Sequence, residues 1–543
     1  GSNALHGVIN VLSKAPSQTA EQQLALDVGP HDYGRIKVSL SNTLGAHGYR
    51  LSLNGAHDSG YKNDSGFDQQ KLSARHDYNN DSLNLRTLIS LSNLNQETAG
   101  YVLGTDAYKN SDNNKQNPNP DAYRESQSAR IQTRIEKRLG NNGLIIVTPY
   151  ARYAKMDFLM HFLPGTPEEE NGQRSLGIQT AYSRQITPQL SLTNGFDAEY
   201  THAYLKQTQS TGFSSFPIGK QYDYEVAATV AAVFIQGNFA ASPQTNLSAG
   251  VRHETLRYDY NNQMITGNTA EDGAICSGAT GCRYSRPSDR HDDTDNLSLT
   301  AGLVHKLNNQ LSLISRVAHG FRAPQATELY RLQAGQLVAD LDSEEIDSIE
   351  LGLRAGFNTL DFSVTSFFMK KNNVIFQSSD RRNLDDGQTK HYGLEYQLTW
   401  QISTHWDLSA AGTFARHQTT KDLNLFGSDT TIAINGKDID TSPRHMASVH
   451  LGWSATTNTR AELEWVHMGK YYTDIDNLHS YEGHELFNVR LRHQLNPLVS
   501  VGLRISNLAD IDYAERADFS GFSGDRYFIG EPRSAFADIT LKF

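Results

Sequence analysis

The chain has 543 residues, a formal net charge of −11, 38% hydrophobic residues and a mean hydropathy of −0.54. The acidity excludes a nucleic-acid binder, which needs a basic face, and reads as a solvated loop surface. No apolar run reaches the roughly 18 residues of a spanning helix. The best, Val226 to Ile235, is flanked by Glu225 and Gln236.

In chain order, the elements alternate at period two. Ile36, Val38 and Leu40 are set between Arg35, Lys37, Ser39 and Ser41. Leu83, Leu85, Thr87, Ile89 and Leu91 follow the same rule, as do Tyr392, Leu394, Tyr396, Leu398 and Trp400, then Phe487, Val489 and Leu491. A soluble sandwich also alternates, but its strands are about five or six residues long. Here the pattern persists for about nine to thirteen residues, enough for a tilted strand to cross a bilayer. The apolar face then meets lipid and the polar face lines a lumen.

The connections agree. Short turns are expected at 44–48, 79–81, 140–143 and 307–310. Long polar loops are expected near 96–126, 204–222, 259–294, 418–443 and 508–534. Short and long connections alternate, as in outer-membrane barrels with short periplasmic turns and long extracellular loops. Counting strands this way, from about Gln22–Val28 to Ala535–Phe543, predicts an all-β, 22-stranded antiparallel transmembrane barrel. That size belongs to plugged transporters, and closure leaves no sheet edge in lipid. Trp400, Trp406 and Trp453 adjoin expected periplasmic turns, where an aromatic girdle forms.

Cys276 and Cys282 lie in a Gly-rich polar stretch. They suggest one disulfide closing a small ring in an oxidising compartment; two free surface thiols are the alternative, and Cys-x5-Cys is not a usual zinc spacing. No nucleophile elbow, His-Glu-x-x-His or phosphate loop is present, so no enzyme is expected. The twenty histidines show no metal spacing, and no metal is assigned. The acidic run from Asp289 to Asp295 lacks the glycine and distal glutamate of a calcium loop. Met156, Met160 and His161 are soft donors that suit copper, a minor alternative.

The opening Gly1-Ser2-Asn3-Ala4-Leu5-His6-Gly7-Val8-Ile9-Asn10-Val11-Leu12-Ser13-Lys14 resembles the end of the plug domain of TonB-dependent receptors. Phe321-Arg322-Ala323-Pro324 with Glu328-Leu329-Tyr330 resembles the motif opening a central extracellular loop. The run from Ser343 to Arg354 resembles the segment leading into the next strand. Asn507-Leu508-Ala509-Asp510 and Gly530-Glu531-Pro532-Arg533 resemble the final loop, and the strand ending on Phe543 resembles the barrel-assembly signal.

The resemblance implies residues 1–18 as the C-terminal remnant of a plug and 19–543 as the barrel. The signal peptide, the TonB-contacting segment and most of the plug are expected outside this sequence. The implied function is active import across the Gram-negative outer membrane, foremost of a ferric siderophore. The alternatives are cobalamin, copper or an oligosaccharide, or a passive porin. Haem is disfavoured because no histidine lies between Pro324 and Asp342. Implied partners are the TonB–ExbB–ExbD complex acting through the plug, the small ligand, and outer-membrane lipid with lipopolysaccharide. No cofactor and no nucleic acid are expected, and the protein is expected to be a monomer. For ligand capture, aromatic and cationic side chains at the mouth are expected. The candidates are His161 and Phe162 in the fourth loop, Phe321, Arg322 and Tyr330 in the seventh, and Arg526 and Tyr527 in the eleventh.

Overall fold

Twenty-two strands join edge to edge into one closed antiparallel sheet in the computed structural model, which describes residues 11–140, 142–160, 165–277, 281–377, 381–424 and 431–543. The wall runs β1 (Glu21–Val28), β2 (Gly34–Leu44), β3 (His47–Asp58), β4 (Phe67–Asn79), β5 (Leu83–Glu97), β6 (Tyr123–Leu139) and β7 (Gly143–Leu159). It continues with β8 (Glu168–Gln185), β9 (Leu190–Gln209), β10 (Gly219–Ala240), β11 (Thr245–Asn262), β12 (Arg290–Lys306), β13 (Leu311–Arg322), β14 (Glu344–Gly356) and β15 (Leu360–Gln377). It finishes with β16 (Asn383–Gln401), β17 (Trp406–Thr419), β18 (His445–Thr456), β19 (Thr459–Met468), β20 (His484–Asn496), β21 (Val499–Ser506) and β22 (Ser534–Lys542). β1 pairs with β22, Gln23 opposite Lys542 and Val28 opposite Ala537, so the sheet has no free edge. In lipid that closure is compulsory, because an unpaired backbone group there costs several kcal/mol.

The period-two pattern sets which face is which. Ile36, Val38 and Leu40 of β2 stand opposite Gly55, Leu53 and Leu51 of β3, all on the outer face, while Lys37, Ser39 and Ser41 point inward. The same parity places Leu91, Ile131, Phe196, Val233, Val251, Ile349, Phe368, Leu394, Leu463 and Leu503 outward, each widely exposed on the protein surface. Exposed apolar residues in a continuous band are the signature of a lipid-facing wall. At the periplasmic rim Trp406 and Trp453 are register partners and stack with ring centroids 5.7 Å apart. Trp465 lies towards the other rim, where its indole N–H donates to Glu485.

Turns between β2 and β3, β4 and β5, and each later pair up to β20 and β21 are two to four residues long. All long connections emerge at the opposite end. The main departure from the sequence expectation lies there. Residues 204–222 were expected as loop, yet β9 and β10 run 20 and 22 residues and leave only 210–218 between them. β11 and β12 likewise shorten the expected 259–294 loop to 263–289. These strands continue past the bilayer into water. Both faces are polar or packed by loops there, so the lipid-derived alternation that marks a strand in sequence is lost.

Side-chain size also shapes the wall. A Cβ at Gly412 would strike the ring of Tyr396 on the neighbouring strand and the backbone of Met446. Of the opening segment, residues 1–10 lie outside the described residues. Residues 13–17 lie against the lumen face of β2–β4. Arg75 donates to the Ser13 carbonyl at 2.6 Å, Arg50 donates to the Ala15 carbonyl at 3.0 Å, and Thr43 donates to the Ser17 carbonyl at 2.7 Å. Pro16 sits over Gly48, where a Cβ would come within 2.9 Å of it.

Candidate functional site

The lumen face of the wall carries polar side chains such as Lys37, Ser39 and Ser41 of β2, Arg50 of β3 and Arg75 of β4. Among the described residues, buried apolar side chains gather instead in two bodies above it, built by the extracellular loops.

The first body rises from β9–β11. Leu205, Tyr222, Tyr224, Val226 and Tyr260 at the strand tops point inward and are met by Phe216 of loop 5 (210–218), Tyr284 of loop 6 (263–289), and Leu329 and Tyr330 of loop 7 (323–343). Tyr260 and Tyr330 stack at 4.3 Å, and Tyr222 meets Tyr284 edge-on at 5.3 Å. Offset and edge-to-face aromatic pairs add about 0.5–1.5 kcal/mol each beyond area burial. The polar tips are tied as well. Tyr330 donates to Asp292 at 2.6 Å, and Tyr222 donates to the Leu332 carbonyl. Burial, reinforced by Asp292, pushes the Tyr330 hydroxyl far above its ordinary range. Arg331 reaches Glu169 and Gln207, each at 2.7 Å, and the Met160 sulfur at 3.3 Å.

Loop 7 is fastened at its root by one arginine. Arg322 donates to Glu344 at 2.9 and 2.8 Å, and to Glu328 at 2.9 and 3.0 Å. Both edges of the guanidinium fork are thus engaged. Glu328 also accepts from the Gln325 amide at 2.7 Å, closing a capping box that starts the short helix Ala326–Tyr330.

Loop 6 is held by Arg286, almost wholly buried, which donates to the carbonyls of Ile265 and Thr269 at 2.7 and 2.8 Å. Burial holds its guanidinium below the usual arginine range. Cys276 and Cys282 are joined as a disulfide in the same loop, with Cα atoms 4.8 Å apart. The acidic run at its end is strand rather than a cation loop. Asp293 takes Arg257 at 2.8 Å, and Asp295 accepts from Thr255 at 2.6 Å.

The second body joins loops 3 (98–122), 10 (469–483) and 11 (507–533). Tyr108 packs on Tyr527 at 4.9 Å and on Tyr481 at 5.4 Å. The amides of Ala514 and Ala517 donate to Tyr481 and Tyr471 at 3.0 and 2.8 Å. A three-stranded sheet of Ala514–Ser520, Gly524–Ile529 and Val102–Leu103 braces it. Burial raises the Tyr527 hydroxyl to about 12. Arg526 bonds Asp518 and lies 5.0 Å above the Tyr101 ring; Arg516 lies 5.4 Å above Phe528.

The expected ligand residues therefore fall into different settings. His161 and Phe162 lie outside the described residues. Phe321, Arg322 and Tyr330 are enclosed at the root and heart of the first body, and Tyr527 in that of the second. Arg526 keeps about a quarter of its side chain open to solvent. The sequence reading missed Arg331, Tyr222, Tyr284 and Tyr108. Arg331 had one signal, since it directly follows Tyr330 in a segment already singled out. The tyrosines had none, because their partners lie up to hundreds of residues away.

Comparison with known proteins places this architecture. A family model described as "TonB dependent receptor-like, beta-barrel" matches residues 24–508. A curated relative, the probable TonB-dependent siderophore receptor PiuA of Acinetobacter baumannii, is 21% identical over 331 residues. That match covers 59% of this chain but only 42% of the relative's length. The crystal structure of PiuA superposes with a TM-score of 0.80 at 16% identity, covering 98% of this chain and 82% of that one. The ferric-catecholate import receptor Fiu of E. coli K12 gives 0.80 at 15%, covering 100% and 84%. The copper transporter OprC gives 0.75 at 13%, covering 98% and 81%. At such identities the likeness shows a shared fold. A closed barrel of this size with its apolar band lies in the outer membrane of a Gram-negative cell. On its fold, and on a family match running through nearly nine-tenths of its length, the chain belongs to the TonB dependent receptor-like β-barrel family.

Proposed function

We propose that this chain forms the wall and vestibule of a receptor that imports ferric siderophores across the outer membrane, driven through TonB. The observation that carries the reading is the lumen. Twenty-two strands about 4.8 Å apart, tilted by about 40°, enclose a cylinder roughly 40 Å across between backbones. Side chains cannot fill that width, so a selective membrane requires a plug. The binding of residues 13–17 by Arg50 and Arg75 supports residues 1–18 as the end of such a plug. The likeness to PiuA and Fiu supports iron–siderophore cargo.

Energy would come from the inner membrane by way of TonB–ExbB–ExbD pulling on the plug, and no covalent step is assigned to the chain. The two loop bodies frame the entrance. Cargo contacts fall to Arg526 over Tyr101, and to loop 4 with His161 and Phe162. Phe321, Arg322, Tyr330 and Tyr527 hold the loops that carry them. Copper is the second reading, favoured by the fold of OprC and by Met156 and Met160 at the end of β7.

The test is uptake of iron-55 siderophores and of copper by iron-starved cells expressing the gene that encodes this chain, with and without TonB. TonB-dependent accumulation of one siderophore class supports the reading. Accumulation of copper alone would replace it, and TonB-independent leakage would make the protein a porin.

A further inference from the structure

Two histidines meet across neighbouring strands inside the barrel, and import gives them no task. β15, β16 and β17 carry Met369, His391 and His417 in one register row. The parity that turns Leu394 outward turns this row towards the lumen. Lys390 and Arg416, the chain neighbours of the two histidines, face outward and carry charge, so the row lies at the upper end of the apolar band. His391 Nδ1 lies 2.8 Å from His417 Nδ1, and the ring centroids are 5.0 Å apart. The other nitrogen of His391, Nε2, lies 2.9 Å from Thr389 Oγ1.

A contact this short between two ring nitrogens holds a single proton. A neutral imidazole either donates or accepts at Nδ1, whereas an imidazolium can only donate. The contact is therefore satisfied with both rings neutral, one donating and the other accepting. It is equally satisfied with one ring charged and donating to the neutral one. With both rings charged, two N–H groups face each other, and the hydrogen bond gives way to like-charge repulsion.

The surroundings work against the second charge. Lys371 of β15 is buried and opposes a positive charge on His417. Glu344 of β14, the carboxylate that acts on Lys371, takes two hydrogen bonds from Arg322 of β13. Asp438 of loop 9 is the carboxylate that favours a charge on His417. It already accepts from Arg416 and Arg444, each at 2.8 Å, and from Gln418 at 3.4 Å. The pair also reaches the loop above it. The His417 carbonyl accepts from the Ile439 amide at 2.9 Å, and the Thr419 amide donates to the Lys437 carbonyl at 3.0 Å. The return limb of loop 9 thus rests on the end of β17.

We propose that His391 and His417 form a proton-operated latch between the upper ends of β16 and β17, which holds with no added proton or one and is opened by the second. The two protonation steps then belong to the pair rather than to either residue. Opening parts the rings and loosens the limb of loop 9 that lies on His417. The open state binds one proton more than the closed one, so acid favours it. The contribution of the latch is complete above the ordinary histidine value of about 6.5 and is lost as pH falls through the second step. The latch belongs to the wall and is independent of the cargo.

Solid-state NMR of the receptor in bilayers, with nitrogen-15 in its histidines, tests this by separating neutral from charged rings. H391Q and H417Q identify the two signals. Between about pH 8 and about pH 4 the wild-type pair should titrate in two steps more than about one unit apart, and His391 in H417Q in one step. K371M should move the second step to higher pH by removing a like charge, a shift that a merely structural role would not produce. Hydrogen exchange, corrected for its intrinsic rate, should rise about fivefold across 387–391 and 415–419 in wild type between about pH 7 and about pH 4.5. H417Q, which cannot charge, should show no such rise. Wild-type steps within about half a unit of each other, or flat exchange at this seam, overturn the proposal. A second step left in place by K371M overturns it as well. Heat-modifiable gel mobility reports assembly, and H391Q takes the place of H417Q if the latter does not assemble. Siderophore uptake at neutral pH should be unchanged in H417Q, which separates failure here from failure of the import reading.

Discussion

Replacing Arg322 by methionine should release loop 7 while leaving the barrel standing. The arginine makes four hydrogen bonds between 2.8 and 3.0 Å to two carboxylates. Its side chain and that of Glu344 are nearly buried, at 10% and 5% exposure, whereas Glu328 is about a quarter exposed. Removing one partner of a buried ion pair costs about 3–5 kcal/mol, because the charge left behind is uncompensated. Here the lower end applies. Glu328 is partly hydrated and keeps the Gln325 amide, and Glu344 keeps the Ile375 amide at 2.8 Å. A cost of about 3 kcal/mol is roughly a 100-fold rise in the open population of the loop.

Hydrogen exchange followed by mass spectrometry reads this as lost protection across Ala326–Gln333, with β13 and β14 unaffected. The triple variant R322M/E328M/E344M should restore most of the protection, since an apolar cluster of similar volume replaces the ion triad at little cost. Wild-type exchange in R322M would refute the reasoning and shift the docking of loop 7 onto Leu329 and Tyr330 alone.

Two further outcomes follow from the loops. Breaking the Cys276–Cys282 link by C276S/C282S should destabilise loop 6 by about 2 kcal/mol, from the closure entropy of a seven-residue ring. Exchange in 265–286 should rise while the melting of the barrel is unchanged. Asp440, in loop 9 (420–444), has its carboxyl raised by burial, with Asp474 and Asp518 adding to the shift and Arg516 opposing it. A raised folded-state acid stabilises docking most fully below its unfolded value of about 3.9. That contribution is lost as pH rises through the folded value. Protection of loop 9 should therefore fall as pH rises from about 4 towards neutrality, and D440N should flatten the dependence.

The extent of what the sequence by itself determined follows from where lipid touches the chain. Ile36, Leu91, Leu394 and Leu491 alternate with polar neighbours because one strand face meets hydrocarbon and the other meets water. That asymmetry wrote the strand number, the orientation and the class of barrel into the residue order. Antiparallel neighbours joined by short turns then left closure as the one way to pair every edge. The ends of β9 to β12 were not legible, since above the membrane both faces are wet or loop-covered and no period survives.

The functional end was decided by tertiary structure. The motif Phe321-Arg322-Ala323-Pro324 marked an important loop, but only packing shows that Arg322 is spent on Glu328 and Glu344. Tyr108 meets Tyr527 across more than four hundred residues of chain, and nothing local announces that contact. Lys370 and Lys390 become neighbours only once the register of β15 on β16 is fixed. A bilayer imposes its pattern on each strand separately, and so it can be read one strand at a time. Loop bodies and cross-strand charges depend on which distant residues meet, and that is set only when the barrel closes.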